Sequence, residues 1–375
     1  MAVNVKSVLI IGGGTGGHIS PGISLYSEFR DRGINTLFLT GKRDARFSSL
    51  SEINGGDLHY YNPPSMTKNP FKLPLFSVKF FSAVMRTKKL IKKNSVSAVI
   101  GMGGYASAPA LMAARLAGVP LFLCEQNTVP GRVTRLFEKT ARKIYSTFAE
   151  SADYLKFPEK IFHAGNPIRK GIVTAMTKDE AKKMFHLTQS KKVIFAIGGS
   201  QGATRINELI FGLKQKYSDD LKNIGIIWST GGLTYDAYKE KLQEMKDQGS
   251  VYLSPFISNV GAAYKACDLA ISRSGAGVMM ELAAMGIPSI LIPYPFAAMN
   301  HQEKNAEVFA NSGASVMVSD SDAVPEKIAP IIFELLGNSR VLASMSEKSR
   351  TISRPDAAVV IADDIMREIG GQGIV

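Results

Sequence analysis

Glycine, histidine and carboxylate residues recur in this 375-residue sequence where apolar runs give way to helical patterns. The run Gly12-Gly13-Gly14-Thr15-Gly16-Gly17-His18 lies at such a junction and formally satisfies G-x-G-x-x-G. Glycines let the backbone turn tightly against an oxygen-rich ligand, and the N–H groups of a helix start attract anions. Two chemistries follow: dinucleotide binding and sugar-phosphate binding. A dinucleotide reader needs an acid about twenty residues on to hold a ribose. The second strand instead ends Phe38-Leu39-Thr40-Gly41-Lys42-Arg43, where an NADP reader using Arg43 stays open.

A second loop, Gly101-Met102-Gly103-Gly104-Tyr105, again follows a strand and leads into a helix over 106–117. Two such turns in one domain converge on one diphosphate, which a dehydrogenase has less need of. The second half carries its own pair. In Gly198-Gly199-Ser200-Gln201-Gly202-Ala203 the Ser200 hydroxyl is placed to meet a phosphate or uracil. Ser272-Arg273-Ser274-Gly275-Ala276-Gly277 opens a helix that carries Glu281. A carboxylate there complements the helix dipole or accepts hydrogen bonds from both hydroxyls of a ribose. Tight turns that bind nothing are the plain alternative for each loop.

The elements that position these loops are β-runs alternating with helical segments. Lys6–Ile11, Asn35–Thr40, Ser97–Gly101 and Pro120–Cys124 read as strands in the first half. Lys192–Ile197, Ile224–Ser229, Val251–Leu253, Asp268–Ser272, Pro288–Pro293 and Ala314–Val318 do so in the second. They are near-continuously apolar, as parallel strands covered on both faces are. The pattern predicts an α/β protein of two Rossmann-like, doubly wound parallel-sheet domains facing a cleft. The turn triplet Gly165-Asn166-Pro167 sets the boundary, giving domains of residues 1–166 and 167–351. A last helix, within residues 352–375, is expected to pack back on the first domain.

Composition narrows the classes further. A hydrophobic content of 45% with 21% charged residues is that of a globular protein. Cys124 and Cys267 sit in apolar runs with no metal or disulfide spacing, as expected of inert thiols in a reducing cytosol. No apolar stretch reads as a signal peptide or as a membrane span. The formal net charge is +13, and no acidic residue occurs between Asp57 and Glu125. That stretch carries Lys68, Lys72, Lys79, Arg86, Lys88, Lys89, Lys92, Lys93 and Arg115, which predicts an anionic partner unless it is only a solvated face.

Taken together, the motifs resemble one family. They are GTGGHISPG (Gly14–Gly22), GMGGY (Gly101–Tyr105), Glu125-Gln126-Asn127, GNPIR (Gly165–Arg169), GGSQGA (Gly198–Ala203), Ser272–Glu281 and NHQEKNA (Asn300–Ala306). In order and extent they are similar to the MurG family, the UDP-N-acetylglucosamine:undecaprenyl-diphosphoryl-muramoyl-pentapeptide N-acetylglucosaminyltransferases of peptidoglycan synthesis. The resemblance implies a GT-B fold and an inverting transfer with no required metal or other cofactor. It implies donor contacts from Thr15, Gly16, Gly17, Asn127, Arg169, Ser200, Ile257, Ala276, Gly277, Val278, Met279, Met280, Glu281 and Gln302. Gln302 would meet the transferred sugar and Glu281 the uridine ribose. His301 stands where some members have a second glutamine, which bears on the finer sugar contacts only.

Such a transfer needs a base for the acceptor hydroxyl and a counter-charge for the departing diphosphate. His18, at the mouth of the first glycine loop, is the leading candidate base, with Glu125 the weaker one. The acceptor diphosphate is expected at Gly14, Gly16, Gly17, Gly103, Gly104 and Tyr105. Arg169 and helix N-termini would meet the leaving-group charge. Helical counting from Leu75 puts Phe80, Val84 and Ile91 on a core stripe and Lys79, Arg86 and Lys93 on another face. With Leu75, Phe76 and Lys72 these suit docking on an anionic membrane at its cytoplasmic side, not nucleic acid, for which no module is present. Cell-wall synthesis proteins are the partners the resemblance implies. A UDP-sugar epimerase, another glycolipid transferase, an NADP-dependent oxidoreductase and a non-catalytic membrane binder are the competing readings.

Overall fold

The computed structural model describes residues 6–64, 69, 71, 73–199, 202–245 and 250–370. The chain divides into two compact units, Met1–Arg169 with Arg354–Val375, and Lys170–Ser353. The first runs β1 (Ser7–Ile11), α1 (Gly16–Asp31), β2 (Asn35–Gly41), β3 (Leu58–Tyr61), α2 (Leu73–Lys93), β4 (Ala98–Gly101), α3 (Ala108–Ala117), β5 (Leu121–Glu125), α4 (Arg132–Phe137), β6 (Lys143–Ser146) and β7 (Ile161–His163). The second runs α5 (Lys178–Met184), β8 (Lys192–Ile197), α6 (Thr204–Lys216), β9 (Ile224–Ser229), α7 (Tyr235–Gln243), β10 (Val251–Ser254), α8 (Val260–Ala266), β11 (Leu269–Ser272), α9 (Ala276–Met285), β12 (Ser289–Leu291), α10 (His301–Ser312), β13 (Ser315–Met317), α11 (Pro325–Gly337) and α12 (Ser339–Ile352). The last helix, α13 (Ala357–Gly370), returns to the first unit.

The sheet orders are β3-β2-β1-β4-β5-β6-β7 and β10-β9-β8-β11-β12-β13, with parallel pairing throughout. Each order reverses between its first and fourth strands, the doubly wound pattern that apolar, two-face-covered strands require. All five residues of β1 are buried. β3, β6 and β7 escape the apolar-run criterion. β3 and β7 are short edge strands with one open flank, and β6 begins with Lys143.

Helix α13 completes the core of the first unit. Ile361, Ala362 and Ile365 are fully buried in the cluster that holds Ile23 and Phe29 of α1. Polar ties surround this seam: Lys143 and Tyr145 bind Asp364 at 2.7 and 2.9 Å, and Arg142 binds Glu368 at 2.7 Å. The turn at Gly165 has φ +87°, and a side chain there would run into Arg354 at 2.6 Å. Only glycine closes that turn.

Helix α2 is two-faced, as its periodicity predicts. Ala83, Val84, Thr87 and Ile91 are buried, whereas Lys79, Arg86 and Lys93 are exposed. Phe80 is only partly buried and pairs with Phe76 at 5.9 Å between ring centroids. Leu75 is exposed, and so are Phe71, Leu73, Val78, Phe81 and Met85, an apolar surface wider than the counted stripe. Lys68, Lys72 and Ser200 lie outside the described residues. Both cysteines are buried, and burial pushes the Cys267 thiol up to about 12 and raises that of Cys124. No single described helix is long and apolar enough to cross a membrane.

Candidate functional site

In the first unit the two glycine loops follow β1 and β4, the neighbouring strands at which the order reverses. Open α/β sheets bind ligands at that point. Thr15 caps α1, placing Gly16, Gly17 and His18 in the first turn; the His18 N–H donates to the Thr15 carbonyl at 3.2 Å, and the Gly16 and Gly17 N–H groups lie at the helix start where intrahelical acceptors are lacking. Thr15 Oγ1 lies 2.9 Å from His18 Nδ1. The imidazole rests against the second loop. A methyl group on Gly103 would come within 3.2 Å of His18 Nε2, and one on Gly104 within 3.3 Å of Nδ1 and 2.8 Å of the Gly13 carbonyl. Their φ values of +86° and +77° also favour glycine. The two loops and the histidine are therefore one packed unit.

Two expected contacts take a different form. The Gly14 N–H donates to both oxygens of the buried Asp44 carboxylate at 3.1 Å, so this amide serves the protein rather than a phosphate. Asp44 also accepts from Thr40 Oγ1 at 2.8 Å and Gly41 N–H at 3.1 Å. It is the acid that follows strand β2, one residue past Arg43, and it braces the loop instead of facing outward. Glu125 ends β5 fully inside the unit and accepts from Asn127 N–H (3.0 Å), Gly131 N–H (2.9 Å) and Thr134 Oγ1 (2.5 Å). Burial raises its pKa against the pull of those bonds. Its geometry is that of a loop anchor, not of a base turned toward substrate. Tyr105 starts a 3-10 turn, and its hydroxyl is buried with no hydrogen bond among the described residues. Arg169, half-buried, is the last residue of the first unit's main segment.

The second unit repeats the plan on β8 and β11, again the pair at the order reversal. Gly199 and Gly202 have φ of +82° and +77°, and a side chain on Gly202 would strike the Thr230 carbonyl at 2.2 Å. Behind that loop the buried Asn207 links Thr230 O at 2.9 Å and Trp228 Nε1 at 2.8 Å, fixing α6 on β9. Glu281 is buried on α9 and accepts from Tyr264 Oη at 2.8 Å. Ala276, Met279 and Met280 are buried, so their side chains build the core, while Gly277 and Val278 are half-buried. Ile257 is buried as well.

Gln302 lies in the first turn of α10, where its Oε1 accepts from Tyr294 N–H at 3.0 Å. Met299 and Asn300, just before it, both hold left-handed φ, +54° and +56°. Such strain in residues other than glycine persists where surroundings impose it, as ligand clamps do. Arg273, which motif reading left without a role, reaches the Ile292 and Pro293 carbonyls at 3.1 Å and Asp320 at 2.5 Å. Its guanidinium also lies 5.5 Å over the Tyr294 ring. It ties the ends of β11, β12 and β13 together beside Gln302. Among the described residues no group of three or more His, Cys, Asp or Glu side chains has a metal-binding arrangement.

Residues 8–146 match the glycosyltransferase family 28 N-terminal domain, and residues 193–361 match the glycosyltransferase family 28 C-terminal domain. A UDP-N-acetylglucosamine--N-acetylmuramyl-(pentapeptide) pyrophosphoryl-undecaprenol N-acetylglucosamine transferase of Halothermothrix orenii is 35% identical over 364 residues, covering 93% of this chain and 95% of that protein. The chain belongs to this transferase family. The Chlorobaculum tepidum member is 33% identical over 367 residues, covering 96% and 98%. In fold, the family member from Acinetobacter baumannii superposes with a TM-score of 0.74 at 24% identity, covering 96% of this chain and 99% of that one. A UDP-GlcNAc 2-epimerase structure from Neisseria meningitidis reaches 0.69 at 14% identity, covering 96% of this chain and 100% of that one. The GT-B architecture of two doubly wound units is thus common to transferases and epimerases, and it does not separate them.

Proposed function

We propose that this protein transfers N-acetylglucosamine from UDP-N-acetylglucosamine to the undecaprenyl-diphosphoryl muramyl-pentapeptide, with inversion, in peptidoglycan synthesis. The observation that carries the reading is His18, held between two glycine loops at the order reversal of the first sheet, in a chain of this family. An imidazole there has the chemistry to take the acceptor hydroxyl proton near neutral pH. The α1 N-terminus beside it offers N–H groups from Gly16 and Gly17 to the acceptor diphosphate. In the second unit Glu281 meets the uridine ribose, Gln302 the transferred sugar, and the loop after β8 the donor phosphates. Arg169 and helix N-termini supply the electrostatic stabilisation of departing UDP, a role that removes the requirement for a metal ion.

The exposed apolar side chains of α2, flanked by Lys79, Arg86 and Lys93, dock the protein on the anionic cytoplasmic face of the plasma membrane, where such an acceptor resides. The test is transfer of labelled N-acetylglucosamine to the lipid-linked muramyl acceptor in the presence of EDTA. A product with the label β-linked to the muramyl sugar is the expected result. Activity that vanishes with EDTA and returns with Mg²⁺ would refute the metal-free part, and absence of labelled product under both conditions would refute the whole.

A further inference from the structure

Gln126 sits beside the histidine and has no role in the account above. It is 4% exposed, and its amide orientation is fixed because Nε2 donates to the Cys124 carbonyl at 3.1 Å. Oε1 is thereby turned the other way, buried, and accepts no hydrogen bond among the described residues. It lies 3.5 Å from the point where a Gly103 side chain would begin, and that same point is 3.2 Å from His18 Nε2. Gln126 Oε1 and His18 Nε2 thus both lie within 3.5 Å of one point beside Gly103, with no hydrogen bond joining them. On the other edge, Nδ1 faces the Thr15 hydroxyl at 2.9 Å.

We propose that Gln126 is a positioning residue that holds neutral His18 with its proton on Nε2, so that Nδ1 is the basic nitrogen and Thr15 the group through which it is reached. A neutral imidazole carries one N–H and one lone pair, and its neighbours decide which nitrogen has which. A buried carbonyl oxygen favours the proton on its own side. A hydroxyl adapts, since it donates as readily as it accepts. Accessibility points the same way, because Thr15 is exposed and Gln126 is not.

The proton path, which rests on the transferase reading for its substrate, balances as follows. The acceptor O–H bond breaks and its proton passes to Thr15 Oγ1, whose own proton moves to His18 Nδ1. The acceptor oxygen forms the new bond to the anomeric carbon of the donor sugar. The bond from that carbon to the diphosphate breaks, and UDP leaves with the electron pair. His18 ends as an imidazolium whose Nε2–H lies beside the Gln126 carbonyl.

The full-length protein labelled with ¹⁵N-imidazole histidine gives the tautomer directly by long-range ¹H–¹⁵N correlation. It has five histidines, and His18→Gln assigns the signal. The expected result is His18 with Nε2 protonated and Nδ1 bare above its titration. Gln126→Leu should shift it toward the other tautomer and lower kcat about a hundredfold, the scale of a lost proton-transfer arrangement. Its KM for UDP-N-acetylglucosamine should stay within about twofold. A wild-type His18 protonated on Nδ1 overturns the proposal whether or not the variant folds, and so does a folded Gln126→Leu with the tautomer unchanged. Thr15→Val should reduce kcat without altering the tautomer, and undiminished turnover there overturns the relay. Failure to transfer to the muramyl acceptor is read separately, because the tautomer is measured without substrate.

Discussion

The amide nitrogen of Gly14 lies 3.1 Å from both carboxylate oxygens of Asp44. The first glycine loop therefore carries its own internal anion, and a ligand phosphate is left with the α1 start at Gly16 and Gly17. Asp44→Ala orphans the donors of Gly14, Gly41 and Thr40 at once. Leaving buried donors unpaired costs about 1–3 kcal/mol each, with solvent relieving some of it, so a loss on the order of 3 kcal/mol is expected. Chemical denaturation should show that loss, together with a fall in turnover. A variant of unchanged stability would contradict the brace.

Much of this arrangement was readable beforehand, for a physical reason. Parallel strands covered on both faces must be apolar, so β1, β2, β4, β5 and β8 announce themselves, and the glycines after β1, β4 and β8 are where backbone alone can pass. Short edge strands such as β7 carry no such signal. Asp44 and Gln126 were not legible because their roles depend on which side of a buried loop each side chain faces. Glu125 illustrates the same limit: its chemistry suits a base, but its donors come from the loop that follows it and from Thr134 of α4.

Glu125→Gln tests that distinction. One carboxylate oxygen accepts from Asn127 N–H and the other from Gly131 N–H, so in either orientation the amide NH₂ faces a backbone donor, although the Thr134 hydroxyl can turn to accept. Thermal unfolding should fall by the equivalent of about 1–3 kcal/mol, with turnover reduced in step with loop order. A variant with wild-type stability and turnover lowered by about a hundredfold or more would instead make Glu125 the base.

In the proposed donor site, Arg273 braces the segment that carries Tyr294. Arg273→Ala removes its bonds to the Ile292 and Pro293 carbonyls and to Asp320, freeing the backbone whose Tyr294 N–H meets Gln302. Steady-state kinetics should give a KM for UDP-N-acetylglucosamine raised about tenfold, as loss of about 1.4 kcal/mol of donor binding requires. An unchanged donor KM would show that the brace does not reach Gln302.

The proposed docking assigns the basic face of α2 to membrane binding and not to the chemistry. Replacing Lys79, Arg86 and Lys93 together with serine should weaken binding to anionic vesicles by about 1 kcal/mol per residue. Turnover on a short, water-soluble acceptor should be preserved. Equal losses in vesicle binding and in turnover on the soluble acceptor would contradict docking through this face.

His18 between its two glycine loops is the centre of the account, and the claim built on it is transfer rather than epimerisation on a shared fold. The most direct measurement is release of UDP from UDP-N-acetylglucosamine by the wild-type protein, with and without the lipid-linked muramyl acceptor. UDP is expected to be released only when the acceptor is present, with His18→Ala still binding the donor but no longer turning over. Release of UDP at the same rate without acceptor, accompanied by an epimerised or free sugar, would contradict it.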